Sequence, residues 1–251
     1  GLQHQDGSSH LIASTVPNCR AYDPAYAYEV AVIMHHGMIQ MMEKNVDEFY
    51  YITLMNENYE QPNLPADTEK SIIRGLHKIE HFGEITNKLK VRLIGSGTIL
   101  NEVIAAAEIL LDEFNISSEV FSATSFTELA KEARAVAREN RLANSDTVSL
   151  SHVEQCLPGE LPVIAATDYV VALPQLIAPY LDARFVALGT DGFGRSDQRD
   201  VLREFFEVDR KNIALAAIES LVKLALLDRS VLLHAVDYLA INRQSPPPWT
   251  Q

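Results

Sequence analysis

The chain has 251 residues, 47% hydrophobic and 22% charged, enough for one sizeable core or for a full domain and part of another, and too apolar for extended disorder. A formal net charge of -13 argues against nucleic-acid binding, because no basic stripe exists to displace counterions from phosphates. No apolar run approaches the ~20 residues of a membrane span. The two cysteines, Cys19 and Cys156, form neither a disulfide framework nor a metal-ligand pair, which fits a reduced, cytoplasmic compartment.

Residues 1–20 are polar and aperiodic and read as a loop. The chain opens at Gly1 in what looks like the middle of that loop, the expectation for a fragment. Asp23-Pro24 predicts a helix start, Asp as N-cap and Pro at the first helical position, with the helix running to residue 42. Residues 49–55 are β-branched and aromatic, a buried strand. Pro62 and Pro65 mark a loop, and residues 68–81 predict a polar helix. From Lys90 the pattern alternates: strands at 91–95, 119–122, 162–166 and 184–188, and helices at 101–114, 127–141 and 172–181. Helices follow at about 198–207, 211–227 and 229–240, before an extended Pro246-Pro247-Pro248 tail. Nearly continuous apolar strands alternating with helices predict an α/β fold, a three-layer α-β-α arrangement around a mostly parallel sheet. The patterns change around residues 82–90, giving an expected division into 1–85, part of one α/β domain, and 86–251, a whole second one.

Four local patterns invite a chemical reading. Gly95-Ser96-Gly97 lies between a strand and a helix, where a dinucleotide fingerprint belongs, but the third glycine is replaced by Leu100 and no acidic residue ends the next strand. It is read as a tight strand-to-helix turn. His77-Lys78-Ile79-Glu80-His81 spells an inverted zinc-protease motif, yet Phe82-Gly83 ends the helix at once, and the solvated helix face is preferred. The opening loop, residues 1–10, gathers His4, Asp6 and His10 between glycines. The fourth pattern, Leu188-Gly189-Thr190-Asp191-Gly192-Phe193-Gly194-Arg195-Ser196-Asp197, follows a parallel strand, at the sheet edge where open α/β proteins place ligands. Asp191, Gly192, Arg195 and Ser196 either form a substrate or interface loop, with Arg195 holding an anion, or a strand exit with a surface Arg–Asp pair. The residues alone leave both open.

The segments GLQHQDGSSH (1–10), PNCRAYDPAYAYEVAVIMHHG (17–37), YYITLMNENY (50–59), TSFTELA (124–130), ATDY (166–169), LGTDGFGRSD (188–197) and FFEVD (205–209) resemble the bacterial homodimeric pyruvate dehydrogenase family, within the transketolase-like superfamily. That resemblance implies a homodimer using thiamine diphosphate and Mg2+, acting on pyruvate and passing an acetyl group to a lipoyl-bearing acyltransferase component. Residues 1–85 would be the last part of its pyrimidine-binding domain, and 86–251 its transketolase C-terminal-like accessory domain. The family's Gly-Asp-Gly…Asn motif for diphosphate and magnesium is not in this sequence, so the fragment alone is expected to be inactive. By resemblance His4 is the catalytic candidate, reaching the substrate end of the cofactor, and His10 a second one. Gln5 stands where the family has Glu, and the segment 135–156 lacks the family's Trp and His-Pro. Two alternatives stay open: a non-catalytic interaction module, or the same chemistry on another 2-oxo acid.

Overall fold

A computed structural model describes residues 6–144 and 148–251. It holds two sheets. The smaller pairs β1 (Cys19–Tyr22) with β2 (Phe49–Ile52) in parallel, Tyr22 opposite Ile52. The larger has five strands, β3 (His77–Phe82), β4 (Lys90–Gly95), β5 (Ser117–Ser122), β6 (Val163–Ala166) and β7 (Phe185–Leu188), in the order β3-β5-β4-β6-β7. All pairings are parallel except β3 with β5. The three-layer fold with a mostly parallel sheet is as expected.

Alternation along the strands builds a core on each face of this sheet. Val91, Leu93, Val120, Ile164 and Ala166 point to one side, where they meet α4 (Ile99–Phe114), α9 (Arg210–Lys223) and α10 (Arg229–Tyr238). Ile94, Phe121, Val163 and Ala165 point to the other, against α5 (Phe126–Leu142), α6 (His152–Cys156) and α7 (Ala172–Gln175). Strands covered on both faces need apolar residues at every position, which is why they read as unbroken runs. A third, small cluster of Tyr22, Ile33 and Ile72 sits under the two-stranded sheet. It is closed by α2 (Ala27–Met38), which continues as a π-helical turn over Ile39–Glu43, and by α3 (Glu69–Arg74).

Four sequence expectations need correction. The loop over 1–20 contains α1 (Ser9–Ser14) and the strand β1. The helix over 68–81 stops at Arg74: Gly75, at φ +103°, ends it in the left-handed conformation, and the chain continues as β3. Since β3 lies before residue 86 yet pairs with β5, the second sheet begins ahead of the expected division. Asp23 is not a helix cap. The carboxylate of Glu29 accepts the N–H groups of Ala25 (2.5 Å) and Tyr26 (3.0 Å), and the helix opens at Ala27. The strand at 49–55 is shorter, ending at Ile52, and Thr53 is released to other work. Among the described residues no helix is long and apolar enough to cross a membrane.

Candidate functional site

Both sheets direct strand ends into one cleft of about 580 Å³. Thr53, Leu54 and Met55 enter from the end of β2, Thr98 from the turn after β4, Asp168 and Tyr169 from the exit of β6, and Thr190 and Gly192 from the exit of β7. Asp6 and Gly7 close one side, and α8 (Arg199–Phe205) the other through Arg199 and Arg203. Parallel strands end together with their next turns free, so a crevice at the carboxyl edge follows from the topology.

The charges are unevenly compensated. Arg203, 11% exposed, bonds Glu57 (2.5 Å) and reaches Glu102 (3.4 Å), and Arg199 donates to the Asn56 carbonyl oxygen. Asp168 is half-buried. Burial pushes its carboxyl above the ordinary range, Arg203 opposes that rise, and Glu57 adds to it.

The glycine loop after β7 packs back on the β6 exit. Thr190 donates its N–H to Tyr169 O (2.9 Å) and its hydroxyl to Asp168 O (3.0 Å). Asp191 Oδ2 accepts the Val171 N–H (2.8 Å), which makes Asp191 a turn-stabilising residue in this conformation. Gly192, at φ +108°, lines the cleft and meets the C-terminal tail at Pro248 and Trp249. Arg195 lies over the Phe205 ring, 4.6 Å from its centroid, and with Ser196 borders a neighbouring hollow outside the cleft. The loop lies at the sheet edge, with Gly192 lining the cleft and Arg195 and Ser196 lining the adjoining hollow, which shares Phe193, Gly194 and Leu202 with the cleft.

His4 lies outside the described residues. His10, in the first turn of α1, is 3% exposed and sits behind the cleft wall, its ring edge-on to Tyr169 and Tyr51. Its Nε2 is 3.0 Å from Thr53 Oγ1, and Thr53 Oγ1 donates to Asp23 Oδ1 at 2.8 Å. Burial lowers the His10 pKa to about 4, Asp6 acting weakly the other way. Burial raises that of Asp23 to about 7, the Thr53 and Ser96 hydroxyls oppose the rise, and Asp168 and Glu29 add to it. Asp23 Oδ2 is buried with no hydrogen-bond partner and faces Gly97, where a Cβ would come within 2.8 Å.

Asp23, Thr53, Asp168, Arg199 and Arg203 were not singled out from the sequence. Asp168 had a usable signal, since it immediately follows a strand of a parallel sheet. Asp23 and Thr53 lie in the resembling segments 17–37 and 50–59, and Arg199 and Arg203 in none, but their roles depend on neighbours from distant segments.

The other two motifs resolve into packing. The glycines of Gly95-Ser96-Gly97 are set by close approach: a Cβ at Gly95 would sit 2.6 Å from Leu100 Cα. His77 and His81 lie on a strand rather than on a solvated helix. A bulge between Lys78 and Glu80 sets them opposite Ser122 and Glu119, an odd interval, so they face opposite sides of the sheet. His77 Nε2 instead donates to the fully buried Glu29 carboxylate at 2.7 Å, which also accepts from Ser122 at 2.6 Å. Among the described residues no group of three or more His, Cys, Asp or Glu is placed to hold a metal ion.

Comparison with known proteins gives two family matches: the pyruvate dehydrogenase E1 component middle domain over residues 1–62, and the transketolase-like TK C-terminal domain over residues 75–209. Among curated proteins, the pyruvate dehydrogenase E1 component of Pseudomonas aeruginosa is 47% identical over 250 residues, and that of Cupriavidus necator 44% over 249. Each alignment covers 99% of this chain and 28% of the relative, so the chain spans little more than a quarter of the proteins it matches. Among solved structures, transketolase from Leishmania mexicana superposes with a TM-score of 0.63 at 17% identity, covering 89% of this chain and 28% of that one, a likeness of fold.

Proposed function

This chain belongs to the transketolase-like C-terminal domain family, and from that premise we propose that it is the C-terminal part of a thiamine-diphosphate-dependent pyruvate dehydrogenase component. One observation carries the reading. Four separate segments that resemble that family supply the walls of a single cleft: Asp6 and Gly7, residues 53–55, Asp168 with Tyr169, and Thr190 with residues 192–194. Separate segments that meet at one crevice, rather than in the core, are placed as a binding site requires.

No residue of this chain is assigned to the diphosphate or the magnesium. The sequence has no Gly-Asp-Gly…Asn, and no three-ligand cluster stands among the described residues. The cofactor and Mg2+ are therefore assigned to the rest of the full-length protein, and this chain to a wall of the substrate end. Asp168 and the Arg199–Arg203 pair set the charge of that wall. His4 is the residue proposed to exchange protons with substrate. His10, kept neutral by burial, takes a supporting place behind the wall. Asp191, Gly192, Arg195 and Ser196 are assigned to a loop that meets substrate or a neighbouring domain, with Gly192 on the cleft side. A second copy of the chain, the lipoyl-bearing acyltransferase and a cytoplasmic location complete the reading, on the strength of the resemblance. The division into a pyrimidine-domain remnant and an accessory domain is retained, with β3 counted in the accessory sheet.

The full-length protein with thiamine diphosphate and magnesium is expected to decarboxylate pyruvate in preference to bulkier 2-oxo acids. The isolated 251-residue chain is expected to bind no cofactor in calorimetry. His4→Ala in the full-length protein should lower turnover on the order of 10²-fold at unchanged cofactor affinity. Near-normal turnover in that variant, or tight cofactor binding by the chain alone, would refute the assignment.

A further inference from the structure

We propose that Asp23 is a positioning residue that, through Thr53, sets which ring nitrogen of His10 carries the proton. The proposal deepens the proposed function, because it assigns a proton route behind the same cleft.

The argument starts from hydrogen-bond counting. His10 Nε2, Thr53 Oγ1 and Asp23 Oδ1 stand in a row at 3.0 and 2.8 Å. A hydroxyl has a single proton to donate, and the other acceptor in reach of Thr53 Oγ1, the Tyr22 carbonyl oxygen, is far at 3.4 Å, so with the proton kept in the two short bonds these run in the same direction. With Asp23 ionised, Thr53 donates to Oδ1, and His10 must donate from Nε2, leaving Nδ1 bare. With Asp23 protonated on Oδ1, the acid donates to Thr53, Thr53 donates to Nε2, and the His10 proton sits on Nδ1. One proton separates the two states. It binds at Nδ1 as the Nε2 proton passes to Thr53 and the Thr53 proton passes to Asp23, so every atom keeps its valence and no charge rests on the imidazole.

The surroundings favour this route over an ordinary imidazolium. Asp23 Oδ2 is buried without a partner and the Gly97 backbone closes over it, while the Ser96 hydroxyl, which would favour the ionised acid, is bonded to Thr167 at 2.8 Å, so the ionised acid is short of donors. Asp168 and Glu29 are the charged groups acting on Asp23, and both favour its protonated form. Asp6 acts on His10, whose ring is walled by Tyr51 and Tyr169. The cleft cation Arg203 is engaged with Glu57 and Glu102. Burial therefore disfavours charge on the ring and moves proton affinity to Asp23, two hydrogen bonds away.

The test uses the full-length protein and the variants Asp23→Asn, Thr53→Val and Thr53→Ser. Difference infrared spectroscopy follows the carbonyl stretch of a buried carboxylic acid as pH is raised through neutrality. A titrating band is expected in the parent, absent in Asp23→Asn, displaced in Thr53→Val and returned in Thr53→Ser. In parallel, the pH profile of pyruvate turnover should lose its near-neutral ionisation in Asp23→Asn and Thr53→Val and regain it in Thr53→Ser. The drop in kcat should be roughly 10-fold at unchanged KM. A parent protein without the band, or a band indifferent to Thr53→Val, would overturn the relay even if the enzyme is active. Absence of pyruvate turnover with the band behaving as stated would instead overturn the proposed function and leave the relay standing.

Discussion

Replacing Asp23 by Asn should make the protein more sensitive to acid, although it removes an acidic group. Asp23 has an ordinary pKa of 3.8 and a folded value of about 7. Between those values the folded state holds a proton that the unfolded state has released, so Asp23 favours folding at low pH and this contribution fades as pH rises through neutrality. His10 has the opposite sign. Its folded value of about 4 lies below the ordinary 6.5, so the unfolded state binds the extra proton, and its contribution is lost as pH falls through that window. From about pH 7 down to about pH 5 linkage gives a gain of about 2 kcal/mol from Asp23 and a loss of about 2 kcal/mol from His10. The two nearly cancel in the natural chain. Asp23→Asn removes the gain alone, so its unfolding free energy, from urea titrations at both pH values, should fall about 2 kcal/mol further than the parent's on acidification. All other titrating groups are common to both proteins and drop out of the difference. Equal pH slopes for the two would refute the burial argument for Asp23, and with it the physical basis of the relay.

Two further substitutions probe the frame around the site. Glu29→Ala leaves four buried donors without an acceptor, those of Ala25, Tyr26, Ser122 and His77, and should lower the unfolding free energy by on the order of 4 kcal/mol. Glu29→Gln keeps an oxygen for the two backbone donors, and Ser122 and His77 can both turn acceptor. It should therefore cost less than half as much, and equal losses in urea denaturation would contradict that account. Gly75→Ala places a Cβ on the Ser125 carbonyl oxygen at φ +103° and should lower stability by at least about 2 kcal/mol. A loss within a few tenths of that for a surface alanine substitution would show that the turn relaxes.

The sequence was most legible where each strand is buried on both faces. Residues 91–95 and 162–166 are apolar at nearly every position and flanked by amphipathic helices, a pattern with one simple solution, and the half-buried edge strand at 184–188 repeats it. The misreadings share a cause, which is that the deciding partner is remote. Cys19–Tyr22 is a strand because Phe49–Ile52 supplies its hydrogen bonds from thirty residues away. His77–Phe82 carries the charges of a solvent helix, yet Gly75 resets the chain direction and β5 takes up its backbone. Asp23 looked like a cap because Pro24 follows it, while the actual N-terminal acceptor, Glu29, lies one turn inside the helix. The same reason hid most of the site. Glycines announce a loop from sequence alone, but Thr53 and Asp23 acquire meaning only when α1, β1 and β2 bring them against His10.

Because β3 crosses from the first unit into the second sheet, the two cannot be separated at residue 85 without damage. A protein begun at residue 86 would lack the strand that covers β5. The β5 backbone from Ser117 to Ser122 would then be a bare edge, open to pairing with another copy of itself. What looks like a junction between domains is a seam, and an excised accessory domain has to carry the strand His77–Phe82 along with it.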